Sequence, residues 1–168
     1  MEINPIDKVD DLIDRLIEYQ PIIHSKADSG YDWLEEEDVC VKIMNPSSDN
    51  HLEILFQNNG ESTIFYADNH EHYFGYDVEY KLMCELITDI LCNKKCSASL
   101  FCGKENKLLG SSYVDKNEIN QSVREMFDFV LKYKEFADRL ASNGGAVRFT
   151  FWDSELNYTI EINNEMET

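Results

Sequence analysis

The sequence lacks any apolar run that approaches the roughly 18–20 residues needed for a membrane-spanning helix. Basic residues are also scarce. The chain has 15 lysines and arginines and 33 aspartates and glutamates, which gives a net charge of -18. Such an excess of negative charge repels nucleic-acid backbones and anionic membranes and attracts basic proteins. We therefore expect no membrane contact, no direct nucleic-acid binding and a basic protein as partner. Repulsion between like fields predicts a monomer at low ionic strength.

Catalytic signatures are absent as well. The sequence contains no phosphate-binding loop, Gly-x-Ser-x-Gly elbow, His-Glu-x-x-His helix or dinucleotide-binding glycine pattern. It has five cysteines, an odd number, and its start, MEINPIDKVDD, has neither the basic stretch nor the apolar stretch of a secretory leader. This combination favours free thiols in a reducing, cytoplasmic compartment. We expect no catalytic residue and no cofactor, so the sequence favours a binding protein over an enzyme.

The periodicity of the remaining sequence predicts a single α+β domain over residues 1–168. Helical spacing and capping residues predict three helices, within residues 4–20, 75–95 and 120–145. Alternating apolar residues predict about six to seven strands in a mainly antiparallel sheet. The predicted order is α-β-β-β-α-β-β-α-β-β, with residues 163–168 as a frayed tail.

The segment HLEILFQNNGESTIFYAD predicts a β-hairpin. The dipeptide Asn59-Gly60 lies between two alternating runs and is typical of a two-residue type I′ turn. Such a turn pairs residues whose numbers sum to 119, so Asn58 faces Glu61. In this register one face of the hairpin carries Leu52, Ile54, Phe56, Thr63, Phe65 and Ala67.

The same register brings histidines and carboxylates together at the open end of the hairpin. His51 faces Asp68, Asp49 faces His70, and His72 shares the face of His70 because residues two apart on a strand point the same way. Imidazole and carboxylate groups together are competent ligands for zinc or another divalent metal. A metal-dependent hydrolase using His51, Asp68, His70 and His72 is therefore an alternative function. Simple cross-strand His–Asp pairing is the structural alternative.

An acidic run that follows two aromatic residues is the candidate partner-binding segment. Its residues are Tyr31, Trp33, Glu35, Glu36, Glu37 and Asp38. Tight inhibitor interfaces combine charge steering with aromatic residues at their centre, although a solvated loop would have the same composition. Spaced acids on the first predicted helix suggest a further alternative, an acidic mimic of nucleic acid. These acids are Asp7, Asp10, Asp11, Asp14 and Glu18.

In size, acidity, thiol content and its α+β plan with hairpins such as HLEILFQNNGESTIFYAD and AVRFTFWDSELNYTIEI, the chain resembles the small acidic immunity proteins of bacterial polymorphic toxin systems. The resemblance extends over the whole chain and concerns its general character. It implies a protein that binds and blocks a cognate toxin domain and is not itself catalytic.

Overall fold

The computed structural model describes residues 2–162, so the predicted fraying of residues 163–168 lies outside the described part. The chain is an α+β protein with two antiparallel sheets, of five and four strands. It divides into two compact units, a first unit of Met1–Asp89 and a second unit of Ile90–Thr168. The predicted fold class is confirmed, and the predicted count of about six to seven strands roughly fits the nine strands within residues 2–162. These strands form two sheets, whereas one sheet was expected. No helix within residues 2–162 combines the length and the apolar character that crossing a membrane requires.

The first unit begins with helical turns. A 3-10 helix, Pro5–Lys8, leads into helix α1, Val9–Arg15, and a second 3-10 turn, Ile17–Tyr19, follows. The Asn4 side chain accepts the Ile6 N–H at 3.2 Å, and a proline occupies the next position, where a missing N–H costs nothing. The Tyr80 hydroxyl donates a hydrogen bond of 2.8 Å to Asp11, which ties helix α2, Asp77–Leu91, to α1.

The five-stranded sheet follows chain order, with every neighbouring pair antiparallel. Its strands are β1 Ile22–His24, β2 Val39–Ile43, β3 Leu52–Phe56, β4 Glu61–Tyr66 and β5 Asn69–Phe74. One face of the sheet is buried in the core. Its buried side chains are Val41, Ile43, Leu52, Ile54, Phe56, Ile64, Tyr66 and Tyr73.

The turn between β3 and β4 differs from the predicted one by one residue. Three residues form the loop, because the Gln57 N–H bonds to the Glu61 carbonyl at 2.9 Å and the Gly60 N–H bonds back to Gln57 at 3.1 Å. A type I′ turn requires positive φ at both Asn59 and Gly60. Only Gly60 has a positive φ, 91°, which fits a three-residue hairpin loop. Leu52 consequently pairs with Tyr66. A slip of one residue moves side chains to the opposite face, so the predicted grouping of Phe65 with Leu52 is wrong.

Strand β5 is absent from the sequence-based prediction. Strand β4 ends at Tyr66, and a tight turn with Ala67 at φ 53° sends the chain back along β4. The polar sequence NHEHYF of β5 forms the outer edge of the sheet. At the end of this edge the Glu79 carboxylate accepts the backbone N–H of Phe74 at 2.5 Å.

The second unit contains the four-stranded sheet and three short helices. The strands are β6 Lys95–Cys102, β7 Lys107–Asp115, β8 Gly145–Thr150 and β9 Tyr158–Ile162, in the spatial order β7-β6-β8-β9. The helices are α3 Val123–Met126, α4 Asp128–Leu131 and α5 Lys134–Asn143. One continuous helix was predicted over this last region, and that prediction is wrong because the chain leaves helical geometry at Phe127 and is extended at Tyr133.

The core of the second unit lies between one face of this sheet and the helices. Ser122 begins α3 with a capping box, in which its hydroxyl accepts the Glu125 N–H and the Glu125 carboxylate accepts the Ser122 N–H. Apolar side chains from strands and helices then pack together. They include Ala98, Leu100, Val123, Phe127, Leu140, Val147, Phe149 and Phe151.

Candidate binding surface on the first sheet

The face of the five-stranded sheet opposite the core carries a row of polar and aromatic side chains. Cross-strand pairing aligns Ile22, Lys42, Glu53, Phe65 and His70 on this face, one from each strand. Ile22, Phe65 and His70 are exposed, and Lys42 and Glu53 form an ion pair of 2.8 Å. Hydrogen bonding to the Glu53 carboxylate raises the pKa of Lys42. We call this surface the open face.

The next row of the open face lies partly beneath the loop of residues 25–38. Leu34, which is 2% exposed, packs against Cys40 of β2 and Leu55 of β3. Burial raises the pKa of the Cys40 thiol to about 12. Beside this contact the ring of Tyr31 stacks on that of His24, with 3.9 Å between centroids. The loop is therefore fastened to the sheet by an apolar contact and a ring stack.

Asp38 fastens the other end of the loop. Its carboxylate is buried and accepts the N–H of Asn58, in the β3–β4 turn, at 3.1 Å and the N–H of Glu35 at 3.4 Å. Because its carboxylate joins the loop to the β3–β4 turn, this side chain has a structural role. It stands apart from the other five predicted partner-binding residues, whose side chains reach the surface.

The outer surface of the loop presents an indole surrounded by acids. Trp33 is 54% exposed, and its ring N–H donates to the Gly30 carbonyl at 3.2 Å, which fixes the orientation of the indole. Glu35, Glu36 and Glu37 are all exposed, and Glu36 forms an ion pair of 3.4 Å with Lys26. Residues 25–38 contain six acidic residues and one basic residue. The structure thus brings the predicted aromatic and acidic residues together on one surface.

The negative charge is unequally divided between the units. The first unit has 21 acidic and 5 basic residues, for a net charge of -16, whereas the second has 12 acidic and 10 basic residues, for a net charge of -2. The loop of residues 25–38 belongs to the first unit. Most of the negative electrostatic field of the chain therefore comes from the first unit.

The predicted histidine–carboxylate cluster does not form as expected. The backbone N–H of Asn45 donates to the Nδ1 atom of His51 at 3.2 Å, so that ring nitrogen is already used. Asp68 lies in the turn before β5, and the predicted pairing of His51 with Asp68 is wrong. Within residues 2–162 no group of three or more histidine, cysteine, aspartate or glutamate side chains is arranged to hold a metal ion.

His70 and His72 do share a face, as predicted, and their ring centroids are 5.0 Å apart. The Nδ1 atom of His72 lies 2.5 Å from a Glu61 carboxylate oxygen and 3.1 Å from the Thr63 hydroxyl oxygen. A cross-strand pair thus occupies this nitrogen, as in the structural alternative, although the carboxylate comes from a different residue. The acid–base pair belongs to the open face.

Phe65 is an exposed open-face residue, although the predicted register placed it on the same face as the buried Leu52. Its ring is 39% exposed and lies 6.0 Å from that of His70. It also lines a shallow pocket of about 230 Å³ together with Asp49, His51 and Glu53. A hairpin register based on a three-residue loop would have predicted that Phe65 lies on the open face.

No family model, curated protein or solved structure matches this chain.

Proposed function

We propose that the protein is a non-catalytic binding protein that neutralises a basic protein, most concretely a bacterial immunity protein that blocks a cognate toxin domain. The observation that carries this proposal is the loop of residues 25–38, where an oriented, exposed Trp33 is surrounded by Glu35, Glu36 and Glu37. Tryptophan is enriched among the residues that dominate binding energy, and surrounding charges steer association.

The way the loop is held supports a role in tight binding. Leu34 and Asp38 fasten it to the sheet from beneath, while Trp33 and the three glutamates face outward. A surface that is ordered before binding loses less conformational entropy on association. The adjoining open face extends the same surface with Phe65 and His70. This arrangement resembles a preformed interface more than a solvated loop.

The test is co-expression of the tagged chain with each protein encoded beside its gene. We expect one basic neighbour to co-purify and its toxicity to be suppressed. Trp33→Ala should weaken that complex about 30-fold or more, as for a residue at the centre of an interface. Replacing Glu35, Glu36 and Glu37 by glutamine should mainly slow association and reduce its salt dependence.

The matched control replaces three exposed glutamates of the second unit, Glu118, Glu135 and Glu155, by glutamine. It removes the same charge from a different surface, so the complex should keep most of its affinity. If no basic neighbour binds, or if the loop variant and the control bind equally well, the proposal is wrong.

The nucleic-acid mimic makes a different prediction in solution. A mimic would inhibit several unrelated nucleic-acid-binding proteins in a salt-dependent manner. Asp11, one of the acids that suggested mimicry, already accepts hydrogen bonds from Arg15 and Tyr80 at 2.8 Å each. Inhibition of one partner only would support the present proposal.

A further inference from the structure

A cluster of basic side chains lies around a pocket of the second unit. The pocket has a volume of about 560 Å³, within the range of about 300–1,000 Å³ typical of small-molecule sites. Lys104 lies in the β6–β7 turn, Lys107 begins β7, and Arg139 comes from α5. Three cations thus surround one pocket, in a unit whose net charge is only -2.

Among residues 2–162, no ion pair neutralises these three cations. Four of the five basic residues of the first unit pair with an acid, and Lys134, on the same helix as Arg139, pairs with Asp138 at 2.6 Å. Within the described part of the chain, no ion pair involves Lys104, Lys107 or Arg139, although Glu105 also lines the pocket. Their positive charge is therefore not neutralised by a carboxylate of these residues, and the only ring contact among them there places the Arg139 guanidinium 6.0 Å from the centroid of the Phe136 ring.

The backbone beneath the pocket is fixed. The N–H of Gly103 donates to the Gly144 carbonyl at 2.9 Å, which joins the β6–β7 turn to the end of α5. The Gly144 N–H caps the Leu140 carbonyl at 2.9 Å, and the Asn143 amide donates to the Arg139 carbonyl at 3.0 Å. Two carbonyls near the helix end are thus satisfied. The C-terminal end of the α5 dipole, equivalent to about half a negative charge, favours nearby cations. This partial charge is too small to explain three cations at one place.

We infer that this pocket binds the phosphoryl group of a small phosphorylated molecule. An arginine fork matches two oxygens of such a dianion, and lysines contribute point charges around it. A monocarboxylate would neutralise only one of the three cations. Cys102, which is 8% exposed, and Leu109 supply an apolar wall for the organic part of the ligand. The site is separate from the loop of residues 25–38 and does not depend on the proposed function.

The test is titration of the full-length ¹⁵N-labelled chain with inorganic phosphate and with pyrophosphate, at an ionic strength held constant with sodium chloride. We expect saturable chemical-shift changes confined to residues 102–107 and 139–143, with pyrophosphate binding more tightly. Acetate should give no saturable change. A response to acetate equal to that for phosphate, or no saturation below about 20 mM pyrophosphate, would overturn the inference, because three charge-assisted contacts should bind more tightly than that.

Variants distinguish direct contacts with pyrophosphate from a general electrostatic effect of positive charge. The double variant Lys107→Gln/Arg139→Gln should weaken pyrophosphate binding at least about tenfold, because it removes two charge-assisted contacts. The control Lys132→Gln/Lys134→Gln removes the same charge nearby and should bind as the parent does. Glu105→Gln should tighten binding, a gain that unfolding cannot produce. Equal weakening in the double variant and its control, or no gain with Glu105→Gln, would refute the site.

Discussion

Leu34 holds the acidic loop on the sheet, and its replacement provides a direct test of that arrangement. Truncation of a buried leucine to alanine costs about 2–5 kcal/mol. If Leu34 leaves its contact with Cys40 and Leu55 whenever the loop opens, Leu34→Ala favours the open loop by that amount. Since about 1.36 kcal/mol is a factor of ten, the open population should rise at least about 30-fold.

The thiol of Cys40 reports this opening. It is 1% exposed under the loop, and burial raises its pKa to about 12, so the thiol is neither accessible nor appreciably ionised at pH 8 while the loop is closed. We expect alkylation of Cys40 at pH 8, followed by peptide mass spectrometry, to proceed at a rate proportional to the open population. Leu34→Ala should therefore accelerate alkylation of Cys40 at least about 30-fold and leave that of Cys96 unchanged.

A matched control is Leu140→Ala, which removes the same atoms from the core of the second unit. This variant should expose Cys96, a member of that core, without accelerating the reaction of Cys40. The reasoning is refuted if Leu34→Ala leaves the Cys40 rate unchanged. It is also refuted if both variants accelerate Cys40 equally, because the loop would then open only when the whole protein unfolds.

Three further predictions concern stability. Tyr80→Phe removes the hydroxyl that donates to Asp11 and should lower the free energy of unfolding by about 1–2 kcal/mol in urea. Hydrogen bonds from Arg15 and Tyr80 lower the pKa of Asp11 from 3.8, so its stabilisation is complete above that pH and is lost as the pH falls through the folded-state pKa. Asp11→Asn should therefore be less stable than the parent at pH 7, and this difference should narrow as the pH falls below 3.8; a difference that does not change with pH would contradict this. Gly145→Ala places a Cβ against the Phe101 carbonyl and should lower the melting temperature by several degrees, whereas an unchanged value would show that β8 can shift.

The parts of the fold that sequence predicted correctly depend on local patterns. Asn4 followed by a proline predicted the first helical turn, and alternation of apolar residues predicted seven of the nine strands. Strand β5 was missed because an edge strand with one exposed face needs few apolar residues, and NHEHYF supplies little alternation. The break at Tyr133 was missed because apolar spacing continues on both sides of it.

The candidate site was predicted in part. Composition alone identified Trp33 and the neighbouring glutamates, since exposed acids and aromatics need no knowledge of the fold. The role of Asp38 and the exposure of Phe65 depended on the β3–β4 turn, where an Asn-Gly pair fits both a two-residue and a three-residue loop. One residue of loop length decided which side chains of β4 share a face with Leu52, Ile54 and Phe56 of β3.

The hydrogen bond between the Glu79 carboxylate and the Phe74 backbone N–H bears on fibril formation. An edge strand offers unpaired backbone groups to which a strand of another chain can hydrogen-bond. Phe74, at 57% exposure, is the large hydrophobic residue of β5 that is exposed to solvent. Glu79 occupies the N–H at that point, and the net charge keeps other copies at a distance. Near the isoelectric point of about 4.4 the charge barrier vanishes, so conversion of this strand into an intermolecular β-sheet should be fastest under mildly acidic conditions.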